Sequence, residues 1–208
     1  GLGDVYKRQL VPYVYINDTV HKTRGFLIAS GNIAGEKMHF IVNHWPSRAA
    51  ASPARERAGE QVRAIKDSLL REDSAAKIVI MGDMNDDPMD KSMAVALGAK
   101  RKPVDAGPTD LYNPWWDTLK KGYGTLMYKG KWNLFDQIVF TGNLLGTDRS
   151  TLKFYKHEIF SRDFMFQKEG KYKGYPKRTQ AGGVWLNGYS DHLPTIICLL
   201  YTSDAADD

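Results

Sequence analysis

The segment KIVIMGDMNDDP, residues 77 to 88, sets a run of aliphatic side chains directly before an acid, an amide and two further acids. Comparable polar groups stand at the ends of other apolar runs: His44 in VNHWPSR, Asp136 in FDQI, and Asp191 with His192 in YSDHLP. Taken singly, each has an ordinary explanation. His44 suits a hydrogen-bonded histidine, Asp136 a strand-edge acid, and Asn85 a turn residue bonding nearby backbone. Taken together they supply an acid–histidine pair, a carboxylate for a metal, and a neutral donor for a phosphate oxygen. An aspartate beside a histidine fixes its tautomer and favours its charged form. A phosphoester repels an oxygen nucleophile, so a site that attacks one must neutralise developing charge and align the incoming water.

Positioning such groups requires strands that end together, and the sequence reads as α/β. EKMHFIVNHW alternates Met38, Phe40 and Val42 against His39, Ile41 and Asn43, the period of a strand. With the aliphatic stretch after Thr19 and a short Gly31–Gly35 link, it predicts a hairpin. In SPARERAGEQVRAIKDSLL, Ser52 is placed to cap, Pro53 fits the first helical position, and Ala58, Val62, Ile65 and Leu69 recur on one helical face. Lys77 to Met81 then reads as a buried strand, which puts GDMNDDP on the loop beyond its end, where α/β sheets commonly keep their sites. A turn should lead from Pro88 into a second helix over residues 90 to 97, with Asp90 as its cap. Residues 103 to 122 read as a long Pro-, Gly- and Trp-rich connection. YGTLMYKG and WNLFDQIVF read as a strand pair, KHEIFSRDFMF as a short helix or strand, and GYSDHLPTIICL as a loop feeding a closing strand.

The chain's 208 residues make one domain the expectation. An excess of 29 Lys and Arg over 24 Asp and Glu permits an anionic partner without identifying one. Cys198 is the only cysteine, which excludes an internal disulfide framework and a cysteine-based zinc cluster. No apolar stretch is long enough to cross a bilayer. The ends, GLGDVYKRQ and about residues 199 to 208, resemble translated adapter sequence, so residues 10 to 199 are expected to be the natural part. On that reading the missing signal peptide carries no information about localisation.

The ordered occurrence of NHWPSR, IVIMGDMNDDP, FDQIVF and SDHLP resembles the endonuclease/exonuclease/phosphatase superfamily, the metal-dependent fold of deoxyribonuclease I-like nucleases, abasic-site endonucleases, sphingomyelinases and inositol polyphosphate 5-phosphatases. The resemblance covers most of residues 20 to 199. It implies a four-layer α/β/β/α sandwich of two packed, mostly antiparallel sheets, incomplete at its N-terminal side. It also implies divalent-metal-dependent phosphoester hydrolysis, nuclease- or phosphodiesterase-like, with Mg²⁺ as the ion and Mn²⁺ as the alternative. By the same resemblance His44 contacts the phosphoryl group, Asp83 positions or deprotonates the attacking water, and Asn85 holds a phosphate oxygen. Asp136 orients His192, and Asp191 belongs to the metal region. Ser47 and Arg48 are assigned to substrate on the strength of the NHWPSR motif alone. The expected course is direct water attack with inversion and no covalent enzyme intermediate.

Two motifs expected of the family, an early Asn and a strand-end Glu that holds the metal, have no counterpart between Gly1 and His44. The chain is therefore expected to be an N-terminally truncated piece of a hydrolase, with impaired activity. Lys168, Lys171, Lys173, Lys177 and Arg178, interleaved with Tyr172 and Tyr175, suit either a nucleic-acid track or a solvated loop. Arg178 is carried as a substrate contact. Trp115, Trp116 and Trp185 suit either a pocket wall or core packing. The alternative from another class is a non-catalytic module that binds nucleic acid or a phosphate ligand on the same fold. No protein partner is expected.

Overall fold

The computed structural model describes residues 3–15 and 22–202. Part of the stretch from Thr19 that precedes the expected hairpin lies outside the described residues. In chain order the strands are β1 (Gly3–Val11), β2 (Phe26–Ile33) and β3 (Glu36–His44), followed by helix α1 (Ser52–Glu72) and β4 (Lys77–Asp83). A π-helical turn, Ser92–Leu97, leads to β5 (Leu111–Tyr112), α2 (Trp116–Lys120), β6 (Leu126–Tyr128), β7 (Lys131–Asn133) and β8 (Asp136–Thr141). The chain ends in β9 (Lys153–Ile159), β10 (Gln180–Ala181), β11 (Val184–Trp185) and β12 (Thr195–Leu200). Gly3–Val11 overlaps most of the segment expected to be foreign, and it pairs antiparallel with β2.

A six-stranded sheet runs β1-β2-β3-β4-β8-β5, and β12 pairs with β9 in a second sheet. The expected hairpin forms, with a narrower turn: Ile33 faces Glu36, and Ala34 and Gly35 turn the chain at φ 51° and 75°. Both turn residues having positive φ matches the tight hairpin geometry that follows strand twist. Because α1 carries the chain back over the sheet, β4 lies parallel to β3, and β8 pairs antiparallel on its other side.

Alternation in β3 assigns each face. Ile41 packs with Ala58, Val62 and Leu70 of α1, with Ile78 and Ile80 of β4, and with Met93 and Leu97 of the π-helical turn. Met38, Val79, Ile138 and Phe140 face the other way, against Phe154 and Ile159 of β9 and Ile197 and Leu199 of β12. Helix, six-stranded sheet and second sheet thus stack in that order. Apart from α1 and the π-helical turn, the described helices have five residues or fewer, and Tyr155 and Ile196 of the second sheet stay exposed.

Several sequence readings are revised. Ser52 is the first helical residue rather than the cap. Ala51 precedes it in extended geometry, and the Ser52 hydroxyl instead bonds Glu56 at 3.2 Å. The reason lies in the preceding loop, whose Ser47 and Ala50 carbonyls are held by Arg55 at 3.0 and 3.1 Å. Asp90 likewise precedes the π-helical turn, and its carboxylate closes the turn before it by accepting the Asp87 amide at 2.7 Å. Residues 103 to 122 are not structureless, since they supply β5 and α2. The strand pair read after Gly124 divides, β6 pairing with β7 while β8 leaves to join β4. Trp115 is fully buried and donates to the Ile138 carbonyl at 2.9 Å, whereas Trp185 is exposed. No helix among the described residues is long and apolar enough to cross a membrane.

Candidate active site

Strand register assembles the site. His44 at the end of β3 faces Asp83 at the end of β4, and Asp83 faces Asp136 at the start of β8. Three neighbouring strands therefore place an imidazole and two carboxylates in a row. Gly82 makes this approach possible: at φ 135°, a Cβ there would lie 1.9 Å from the Asn43 carbonyl oxygen. His44 Nε2 stands 3.6 Å from Asp83 Oδ2. From the loop before β12, His192 Nδ1 lies 2.7 Å from Asp136 Oδ2. Asp83, Asp136 and His192 each offer a ligand atom within 4.8 Å of the others.

The turn after β4 is tightly specified. The Asn85 amide donates to Asp83 Oδ1 at 2.9 Å, and its side-chain Nδ2 donates to the Trp45 carbonyl at 3.0 Å. Asn85 itself adopts φ 52°, a left-handed conformation that asparagine tolerates better than most residues. One of the two Nδ2 hydrogens is therefore committed to protein.

Beneath the turn lies a polar floor that motif reading missed. Asp86 accepts from the Ser92 hydroxyl at 2.7 Å and pairs with Arg55 at 2.9 Å. Gln137 donates to the Asp86 carbonyl at 2.8 Å and accepts from Asn113 Nδ2 at 2.8 Å. Thr125 Oγ1 accepts the Phe135 and Asp136 amides, both at 3.2 Å, while its carbonyl accepts from Leu193 at 2.8 Å. One signal was available: Arg55 occupies the apolar stripe of α1, three and seven residues before Ala58 and Val62, and a charge there demands a buried partner.

Other expected site residues lie further out. Asp191 does not join the acid–histidine cluster. Its Oδ2 meets Arg178 Nη2 at 2.5 Å, both side chains being close to half exposed. Ser47 is exposed on the loop after β3. Arg48 reaches the turn after β4, where Nη2 meets Asp90 at 2.8 Å. Within the basic run, Lys168, Lys171 and Lys173 are exposed, and Arg178 contacts the residue beside His192.

Burial pushes the Asp83 carboxyl above the usual carboxylate range; the Asn85 amide opposes this, and the Asp136 charge adds to it. For His192, burial disfavours the charged ring, yet the Asp136 hydrogen bond and the nearby carboxylate charges override it and leave the pKa raised. The arrangement thus joins a carboxyl with increased basicity to an imidazole biased toward its proton-donating form. Asp83 and Asp136 also present oxygen donors side by side. Mg²⁺ takes such ligands and ordinarily binds one or two carboxylates while keeping several waters, so this donor set fits a hard divalent cation.

Solved structures resemble the chain at low identity. A truncated TDP2 from Caenorhabditis elegans superposes with a TM-score of 0.57 at 16% identity, over 97% of this chain and 68% of that one. A mannosyl-6-phosphatase from Bacteroides thetaiotaomicron gives 0.57 at 13%, over 96% and 68%. The human Nocturnin catalytic domain gives 0.55 at 12%, over 95% and 59%. At these identities the likeness establishes the fold. No curated protein sequence matches. The Endonuclease/Exonuclease/phosphatase family matches residues 4–200, nearly the whole chain. The chain belongs to the endonuclease/exonuclease/phosphatase family.

Proposed function

We propose that the chain hydrolyses a phosphoester by direct water attack, at an impaired rate, with Mg²⁺ as the supporting ion and Mn²⁺ as its substitute. The observation that carries this reading is the Asp136–His192 pair at 2.7 Å, placed within reach of the Asp83 carboxylate. Asp83 takes a proton from water as the water oxygen attacks phosphorus. His192, charged and oriented through Nδ1 by Asp136, donates from Nε2 to a phosphoryl oxygen as negative charge builds there. Asn85 offers its second Nδ2 hydrogen to another phosphoryl oxygen, and half-exposed His44 contacts the phosphoryl group beside Asp83. The bond to the leaving oxygen breaks as the bond to water forms, with inversion at phosphorus, and the departing oxygen takes a proton from solvent water.

Asp83 and Asp136 would hold the cation through their carboxylate oxygens. The bound ion would supply charge neutralisation on the phosphate. Asp191 completes that set only by leaving Arg178. With so few protein oxygens in the cluster, affinity for the ion is weak and assays need millimolar metal.

The neighbours span a D. rerio TDP2 complexed with a single-strand DNA product and a mannosyl-6-phosphatase. The test is a substrate panel: bis(p-nitrophenyl) phosphate, p-nitrophenyl phosphate, single-stranded DNA and mannose 6-phosphate, each with Mg²⁺, with Mn²⁺ and with EDTA. Metal-dependent release lost in Asp83→Asn supports the reading. Tight binding of any of these without turnover would favour the non-catalytic module.

A further inference from the structure

Arg48 is exposed and basic, the profile of a phosphate contact, and its guanidinium is held on several sides by the loops around the site. Nε donates to the Asn85 carbonyl at 3.0 Å. Nη2 meets Asp90 Oδ2 at 2.8 Å and Asp87 Oδ2 at 3.4 Å, and Nε lies 3.4 Å from Asp86 Oδ1. The guanidinium also lies over the Phe135 ring, Cζ being 4.4 Å from its centroid. Asp87 in turn accepts the Leu134 amide at 2.7 Å. A single side chain thus ties the turn that follows Asp83 to the turn that leads into Asp136.

We infer that Arg48 is a positioning residue of the hydrolytic site, holding Asn85 in its left-handed conformation and fixing Asp83 relative to Asp136. Three carboxylates surround the guanidinium, so an incoming phosphate would have to displace partners of its own charge. The planar fork explains why arginine is needed. One face stacks on Phe135 while separate nitrogens reach the Asn85 carbonyl and the acids, and the point charge of a lysine cannot do both. A left-handed non-glycine residue persists where its surroundings impose it. The Arg48 bond to the Asn85 carbonyl is one of the constraints that impose it here.

The inference rests on the proposed hydrolysis for its kinetic readout but has a second readout that does not. Arg48→Lys, Arg48→Met and Asp90→Asn are made in the full chain. Each is assayed with bis(p-nitrophenyl) phosphate at saturating Mg²⁺ and followed by amide hydrogen exchange. Arg48→Lys should lower kcat roughly ten- to a hundredfold, as small misplacements of catalytic groups do. KM should stay within about twofold, since no substrate contact is removed. Asp90→Asn, which retains the guanidinium, should change kcat in the same direction. Combined with Arg48→Lys it should add little, because the two act as one unit. Exchange at the Asn85 and Leu134 amides should quicken in every variant. If Arg48→Lys keeps kcat while Arg48→Met raises KM, Arg48 holds substrate charge and the inference fails. Unchanged exchange at Asn85 in Arg48→Lys also overturns it. If the wild-type chain hydrolyses nothing, the proposed function fails, and exchange alone decides the role of Arg48.

Discussion

The site has two halves of different construction. His44, Asp83 and Asp136 end neighbouring strands of one sheet, above a buried floor formed by Arg55, Asp86, Ser92, Gln137 and Asn113. Asp191, His192 and Arg178 belong to residues 160–194, where regular structure is limited to a single 3₁₀ turn and the two-residue strands β10 and β11. Trp185, Leu186 and Tyr189 stay exposed there. The halves join through Asp136–His192 and through the Leu193 amide on the Thr125 carbonyl, with a bridge between Leu126 and His192. Register therefore fixes the acids before substrate arrives, while the histidine depends on a few bonds made across the seam. Preorganised groups of the first kind need no rearrangement as charge develops.

Cutting the seam should have the largest effect. Asp136→Asn keeps the shape but removes the charge that orients His192, so the hydrolysis rate should fall about 10²- to 10⁴-fold. Initial rates on bis(p-nitrophenyl) phosphate at millimolar Mg²⁺ measure it, and a variant within tenfold of wild type would uncouple the halves. The sheet half can be tested through its floor. Arg55→Met removes the closest cation from the buried Asp86 carboxylate, leaving it the Ser92 hydroxyl and the more distant Arg48, and drops the bonds to Ser47 and Ala50. Breaking a buried pair in this way costs about 3–5 kcal/mol. Urea unfolding followed by circular dichroism should show a lower midpoint with an unchanged slope.

The sheet half was the more legible in sequence, for a physical reason. A strand buried on both faces shows a continuous aliphatic run, and Ile78–Ile80 announced both β4 and the acid at its end. The face assignments of β3 followed from period-two alternation, and α1 from the spacing of Ala58 and Val62. Bonds between segments distant in sequence leave no such period. Nothing local reveals that Arg48 would be spent on Asn85 and Asp90, or that Asp191 would pair with Arg178 instead of joining Asp83. The same holds for Thr125, whose hydroxyl serves amides ten and eleven residues ahead. Helix starts were misread because Ser52 and Asp90 are capping types whose side chains found other partners.

Each sheet also holds a histidine away from the acids, His39 buried and His157 partly buried, and these give a pH test. His39, paired with Ser30 Oγ at 2.7 Å, has its pKa lowered by burial first and by Lys37, with Glu72 and Asp73 opposing and Lys7 adding a smaller depression. His157 is lowered by burial and by Lys121. A histidine depressed in the folded state binds fewer protons there than when unfolded. Stability from these groups is intact above the unfolded value near 6.5 and is lost as pH falls from there through the folded pKa. In EDTA, these two histidines should pull the unfolding free energy down on acidification below neutrality, against the opposite contribution of His192, whose raised pKa favours the fold there. His39→Gln should flatten that decline, and an unaltered slope would mean that the ring is not held neutral.

The smallest effect on stability belongs to the loop half. Arg178 and Asp191 meet at 2.5 Å, yet their side chains are 48% and 42% exposed, so solvent screens the pair. Such exposed pairs contribute about 0–1 kcal/mol, and Arg178→Ala should move the urea midpoint little. Its effect on substrate is separable from that. If Arg178 attracts a phosphate chain, the variant should raise KM for single-stranded DNA at low salt, and the difference from wild type should shrink as salt is added. Freed from Arg178, Asp191 also becomes available to a cation, so Mn²⁺ binding followed by electron paramagnetic resonance should tighten. An unchanged Mn²⁺ affinity with raised KM would assign Arg178 to substrate and leave Asp191 outside the metal set. Tighter Mn²⁺ with unchanged KM would mean that Arg178 restrains an acid of the loop half until the cation arrives.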